Sequence, residues 1–224
     1  LAEHADRVAL MADGRLQAVG TPDDIYTRRE LLLKHHLRPP QVTTTFFLAV
    51  DKGIPVDKLP VRMVEGERLL DRLADSHPPP LGEPDELDAE SVADSGTDSH
   101  RDTVLSAYNL NHRYPDGTAA LKGISLDVQA GEYVLLVGQN GAGKTTLIKH
   151  FTRLLLPTAG RVEVFGAETR DLSVSQVARR VGYVGQNPDH QLFRTTVESE
   201  VAYALKQRDL PRDEVVARVS DSLK

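Results

Sequence analysis

The chain contains no cysteine and no tryptophan. Without cysteine it can form neither a disulfide nor a thiolate metal site, an absence that fits a reducing compartment. Aromatic residues make up only 5%, so any core must rest on Leu, Val, Ile and Ala. Basic residues are the minority: 27 Lys and Arg stand against 33 Asp and Glu, for a formal charge of -6. A dedicated nucleic-acid binder presents a basic face, so no nucleic-acid partner is expected. No apolar run approaches the roughly 20 residues of a membrane-spanning helix, and any membrane role has to pass through a partner. The opening Leu1-Ala2-Glu3-His4-Ala5-Asp6-Arg7 lacks the Met, basic stretch and apolar stretch of a signal peptide. It reads as a sequence entered within a domain, and Lys224 falls inside an expected helix.

What is present is an ordinary globular balance, 40% hydrophobic and 27% charged over 224 residues. That length suits one large domain or two small ones. Arg7 to Met11 and Arg15 to Val19 are apolar runs around Asp13-Gly14, the signature of a β-hairpin. Thr21 caps the helix that follows, Pro22 suits its first position, and Asp23 and Asp24 favour the positive end of its dipole. Ile25, Leu32 and Leu33 supply that helix's apolar face. Pro39-Pro40 stops the run, a helix is expected over Gln41 to Val50, and a last amphipathic helix over Pro60 to Leu73.

From Asp75 to Asp102 acids outnumber arginine nine to one, four prolines intervene and large apolar side chains nearly vanish. Such a stretch buries too little surface to offset its ordering entropy and reads as a disordered acidic linker. A denser segment follows. Leu105 to Tyr114 and Ile124 to Val128 read as strands, with Pro115-Asp116-Gly117 as a turn between them. Glu132 to Val137 is a continuous apolar run, expected of a strand buried on both faces. Leu147, Ile148, Phe151, Leu154 and Leu155 then fall at helical spacing, up to a stop at Pro157-Thr158-Ala159-Gly160. Arg161 to Phe165 and Val181 to Val184 read as strands. Ser173 with Gln176, and Thr195 with Glu198, have the spacing of capping boxes ahead of helices. Strands alternating with helices imply an α/β fold.

Between the buried strand and its helix stands Gly138-Gln139-Asn140-Gly141-Ala142-Gly143-Lys144-Thr145, which satisfies G-x-x-x-x-G-K-[ST]. The chemistry requires these residue types. Glycines allow positive φ and let backbone N–H groups of the loop approach phosphate oxygens with no side chain between. The helix starting near Lys144 points unsatisfied N–H groups and its positive dipole end at the anion. Lys144 is expected to reach the β- and γ-phosphates, the Thr145 hydroxyl to ligate Mg²⁺, and Thr146 to add a hydroxyl toward the α-phosphate. The expected ligand is therefore a nucleotide with Mg²⁺, and the loop alone does not choose among kinases, GTPases and transport ATPases. The histidines have no partners at metal-ligand spacing and are expected at the surface, His35 and His36 included; Arg179-Arg180 reads as a solvated helix face.

RYPDGTAALKGISLDVQAGEYVLLVGQNGAGKTTLIKHFTRLLLPTAGRVEVFG resembles the ATP-binding cassette family nearly throughout. The resemblance implies that Tyr114 stacks on adenine, and that Gln186, in VGYVGQNPDHQLF, is the glutamine that contacts Mg²⁺ and the attacking water. QNPDHQLFRTTVESEVAYAL is similar to the ATPase subunits of energy-coupling factor importers, which take up vitamins and transition-metal ions, with Gly185 standing where they often carry Phe. EHADRVALMADGRLQAVGTPDDIY resembles the stretch after the switch histidine at the end of a cassette. That spacing places the switch histidine before Leu1, so His4 reads as a solvated residue. LRPPQVTTTFFLAVDKGIP resembles the accessory tail of the same importers.

The resemblance thus implies three segments. Residues 1–74 would be the α-rich C-terminal tail of a first cassette, 75–102 the linker, and 103–224 the N-terminal half of a second, a P-loop NTPase half-domain. No signature motif, Walker B or switch histidine occurs in the chain, which is expected to be inactive in hydrolysis by itself. Implied partners are a transmembrane transporter subunit, a substrate-specific membrane component and a second cassette, at the cytoplasmic face of the membrane. A soluble ATPase acting in DNA repair or translation, and a non-catalytic regulatory cassette, remain the alternatives.

Overall fold

The opening hairpin forms as its turn dictates. β1 (Arg7–Ala12) pairs antiparallel with β2 (Arg15–Gly20), and Asp13 and Gly14 both take positive φ, 51° and 75°. Two positive φ values in a two-residue loop match the right-handed twist of the flanking strands. The structure is a computed structural model and describes residues 4–76, 102–187, 192–206 and 210–223.

On its other edge β1 pairs parallel with β5 (Val134–Val137), in register from Arg7↔Val134 to Leu10↔Val137. The first sheet therefore runs β2-β1-β5. A second sheet, ordered β4-β3-β6-β7, is antiparallel and built from β3 (Thr103–Arg113), β4 (Ala119–Gln129), β6 (Ala159–Val164) and β7 (Ala167–Glu168).

β1 has apolar side chains on both faces, and the structure uses both. Val8 packs with Ile25, Tyr26, Leu32 and Val61. Ala9 and Met11 pack with Leu110, Leu121, Ile124, Leu147 and Phe151. Val8, Ala9, Leu10 and Met11 are fully buried, and each larger side chain among them stabilises the fold by about 1.5–3 kcal/mol. Polar contacts fix the strand's start. Asp6 accepts from Tyr133 N at 2.7 Å through its carboxylate and donates its own N–H to Tyr133 O at 2.9 Å. Arg7 Nε lies 2.8 Å from Glu132 Oε1, a charge contact rather than an aligned hydrogen bond. β5 itself is half-buried along its length, not enclosed on both faces as its apolar run suggests, because among the described residues only β1 pairs with it.

Thr21 caps α1 (Pro22–Tyr26) with a full box: its hydroxyl accepts from Asp24 N and its N–H donates to Asp24 Oδ2. The helix expected to continue through Leu33 instead breaks in two. The Thr27 hydroxyl donates to Asp23 O at 2.7 Å and closes α1; α2 (Arg29–Lys34) then restarts, burying Leu32 but leaving Leu33 exposed. Arg29 holds Asp51, just at the end of the expected helix α3 (Gln41–Asp51), through two bonds of 2.6 and 2.7 Å. α4 (Met63–Ser76) begins where Glu65 accepts from the N–H groups of Val61 and Arg62. α5 (Lys144–Phe151) stops before Leu154 and Leu155, because Arg153 turns into the left-handed region at φ 57° and donates through Nε to Thr169 O. β3 carries a further irregularity: Asn109, at φ 46°, shifts its register and flips the alternation, so that Ala107 and then Leu110 and His112 face inward.

Compactness divides the chain at Asp171, with residues 1–171 in one unit and 172–224 in another. The hairpin and β5 thus share a unit although they flank the expected linker, of which 77–101 lie outside the described residues. In the second unit the Ser173–Gln176 box caps α6 (Val174–Ala178) as expected. Val181 to Val184 form no strand, since no described segment pairs with them, and Val184 is 90% exposed. The cap of α7 (Val197–Lys206) is Thr196, one residue later than expected: its hydroxyl accepts from Ser199 N at 3.2 Å. α8 (Arg212–Ser222) packs on α7 through Ala202, Val215 and Val219.

Candidate nucleotide-binding site

The turn from β5 into α5 places Gly138 to Thr146 in one loop and one helix start. Gly138 adopts φ 151°, and a Cβ there would sit 2.2 Å from Met11 O, so no side chain fits between the loop and β1. Gly143 caps α5 in the left-handed conformation, and Ala142 N donates to Gln139 O to close the loop's own turn. Because α5 begins at Lys144, the N–H groups of Lys144, Thr145 and Thr146 lack intrahelical acceptors and lie at the positive end of the dipole. Lys144 curls back over the loop, donating from Nζ to Gly138 O at 2.6 Å and Gln139 O at 2.8 Å. An incoming phosphate oxygen would compete with those two carbonyls for the ammonium. Thr145 is exposed beside it, and Thr146 is buried.

The opening hairpin braces this loop. Gly14 N donates to Ala142 O, and Gly14 O accepts from Lys122 N. Beside the loop a cavity of about 320 Å³ has Asp13, Lys34, His35 and His36 on one wall and Gln139, Asn140, Gly141 and Ala142 on the other. Gln139 Nε2 donates to His35 O at 3.1 Å, tying α2's end to the loop. His35 is thus half-buried against the loop, with Nε2 enclosed and unpartnered, whereas its expected place was the open surface. His36 is exposed.

Tyr114 lies at the same loop: its hydroxyl is 3.2 Å from Thr146 Oγ1, and its ring meets His112 edge-on at 4.7 Å. The structure therefore brings Tyr114 together with Gly138, Gln139, Asn140, Gly141, Ala142, Gly143, Lys144, Thr145 and Thr146. Gln186 belongs to the second unit, where it is exposed at a bend. Sequence reasoning missed His112 and His150, which it placed at the surface. His150 is fully buried and His112 nearly so, and they bond each other at 3.1 Å. Burial pushes the His150 imidazole below the ordinary histidine value. The available signal was position: His150 follows Thr146 by four residues beside Leu147 and Phe151, on α5's buried face.

An α/β fold with a strand, a glycine-cradled loop and a lysine at the helix start defines a P-loop NTPase domain. Residues 121–223 match the model of the ABC transporter family. Three relatives fill in the likeness. An ABC transporter ATP-binding protein of Caldanaerobacter subterraneus subsp. tengcongensis is 36% identical over 99% of this chain and 38% of its own length. The energy-coupling factor transporter ATP-binding protein EcfA1 of Enterococcus faecalis is 44% identical over 53% of this chain and 43% of its own. The energy-coupling factor transporter ATP-binding protein EcfA of Methanocaldococcus jannaschii is 46% identical over 54% of this chain and 44% of its own. The chain spans less than half the length of these curated relatives. Among the described residues no helix is long and apolar enough to cross a membrane.

Proposed function

We propose that this chain is the nucleotide-binding part of an ABC importer ATPase, which hydrolyses ATP to drive uptake of a small nutrient, a vitamin or a transition-metal ion. The observation that carries the reading is the loop itself. Its glycine backbone lies too close to β1 for a side chain at Gly138, α5 aims its first-turn amides outward, and the Lys144 ammonium lies over the loop on the carbonyls of Gly138 and Gln139. That arrangement suits a polyphosphate, which the amides and the ammonium would hold by charge-assisted bonds.

Each residue then has a role. Tyr114 offers the adenine a stacking face, of a kind worth about 1–3 kcal/mol where measured for bases. Lys144 offsets charge on the β- and γ-phosphates, and Thr146 orients the α-phosphate. Thr145 would hold Mg²⁺, which, when bound, neutralises charge that develops on the transferring phosphate. The donor fits: the Thr145 hydroxyl offers a neutral oxygen, a hard ligand of the kind magnesium takes beside substrate phosphates. Residues 1–74 read as the tail of one cassette and 103–224 as the first half of a second, consistent with an alignment that runs across nearly the whole chain in a longer relative. Partners would be a membrane transporter subunit, a substrate-specific membrane component and a second cassette, with the protein at the cytoplasmic face of the membrane. The energy-coupling factor relatives support that assignment. The chain by itself is expected to bind Mg-ATP and turn over little of it, since the signature, Walker B and switch histidine do not occur in its sequence.

Titration of a fluorescent ATP analogue into the chain tests the reading, and saturable, magnesium-dependent binding displaced by ATP supports it. Absence of binding at millimolar nucleotide would refute it. Rapid steady-state hydrolysis by the chain alone would contradict the division of labour between cassettes.

A further inference from the structure

Behind the phosphate loop, two buried imidazoles link the elements that carry Tyr114 and Thr146. His150 Nδ1 lies 2.7 Å from Thr146 O and must donate to it, because a lone pair there would face an oxygen lone pair. In the neutral ring that leaves Nε2 as an acceptor, 3.1 Å from His112 Nδ1. His112 Nδ1 must then carry its proton, and it also faces Leu156 O at 3.3 Å. His112 Nε2 is left as a buried lone pair without a partner, a cheaper residue of the arrangement than a buried unpaired N–H. Every proton in the chain Leu156, His112, His150, Thr146 is thereby assigned.

The network acts on both sides of the site. Thr146 is held through its carbonyl by His150 and through its hydroxyl by Tyr114. The Tyr114 ring rests edge-on against His112 at an interplanar angle of 83°, and His112 rests edge-on against His150 at 75°. Packing alone would be served by Leu or Phe at these positions, without the cost of burying four ring nitrogens. What the imidazoles add is direction, since each bond admits one tautomer and one ring orientation.

We propose that His112 and His150 are positioning residues that fix the base platform Tyr114 against Thr146 of the phosphate loop, and so favour a base-bearing triphosphate over a bare polyphosphate. The proposal rests on the nucleotide-binding reading. The pair acts through Tyr114 and Thr146, setting the offset between the base platform and the phosphate loop.

The test compares ATP with inorganic tripolyphosphate, each with magnesium, as competitors for a fluorescent ATP analogue on the full chain. His112→Phe keeps a ring beside Tyr114 and removes the nitrogens. It is expected to weaken ATP about tenfold while changing tripolyphosphate less than about twofold. His112→Asn retains an N–H near the Nδ1 position and is expected to recover most of the ATP affinity. His150→Asn keeps the donor to Thr146 but loses the acceptor for His112; it is expected to show the same ATP-selective loss, and it decides the matter should His112→Phe fail to fold. Equal losses for both ligands in these variants, or no loss for either, would overturn the proposal while the nucleotide reading stands. A parent chain that binds neither ligand overturns the nucleotide reading, and the positioning role with it.

Discussion

Gly14 donates its backbone N–H to the carbonyl oxygen of Ala142 at 3.2 Å, so the turn of the first hairpin sits directly on the phosphate loop. The contact admits no side chain: a Cβ on Gly14 would lie 2.6 Å from Ala120 O, and its φ of 75° disfavours any L-residue. Gly14→Val should therefore lower stability by about 2 kcal/mol or more. Thermal melting checks this, and nucleotide affinity should fall in parallel because the loop loses its brace. A variant with unchanged melting temperature and unchanged affinity would show that the hairpin leaves the loop alone.

Lys144 should behave in the opposite way. Among the described residues its ammonium is bonded only to the carbonyls of Gly138 and Gln139, contacts within the loop itself that the fold can lose cheaply. Lys144→Ala is expected to weaken ATP by about 10- to 100-fold, the worth of one charge-assisted bond, with a melting temperature close to that of the parent. Isothermal titration calorimetry together with melting separates the two effects.

Leu10 is the stability probe for the shared sheet. It is fully buried on β1 and pairs in register with Val137, the last residue before the loop. Leu10→Ala should cost about 2–5 kcal/mol, depending on how far the neighbours close the cavity. Urea unfolding monitored by far-UV circular dichroism measures it. A cost under half a kilocalorie would mean that β1 is not part of the folded core.

His150 gives the pH dependence a sign. Burial, reinforced by His112, holds its folded value below 6.5, whereas the unfolded chain takes up the proton near 6.5. Its contribution is therefore complete above that value, and falls as pH drops from there toward the depressed folded value, by at most about 1.4 kcal/mol per pH unit. Urea midpoints between about pH 7.5 and pH 5.5 should decline, and His150→Asn should flatten that part of the decline.

Legibility in the sequence followed how local each feature is. The phosphate loop, the Asp13-Gly14 hairpin and the Thr21 and Ser173 caps are set by residues within a few positions of one another, and each formed where its pattern placed it. The pairing of β1 with β5 joins distant segments, and nothing in Arg7 to Met11 names its neighbour, although unbroken apolar character hints at a strand buried on both faces. Val181 to Val184 have strand composition, but a strand is completed only by a partner, and they found none among the described residues. The irregularity at Asn109 inverts the alternation along β3 and turns His112 inward, which metal-ligand spacing alone does not address. In the candidate site the loop was legible, while the imidazoles behind it were hidden by a tertiary contact between a strand and a helix.

The union of β1 with β5 has a practical meaning for anyone who cuts this polypeptide. A protease acting between residues 77 and 101 would sever the covalent tie and leave the sheet intact, since its three strands come from both fragments. The halves would then adhere as two molecules do, and their attachment would depend on how dilute they are. A nicked sample should migrate as one body when concentrated and shed its amino-terminal piece on extensive dilution.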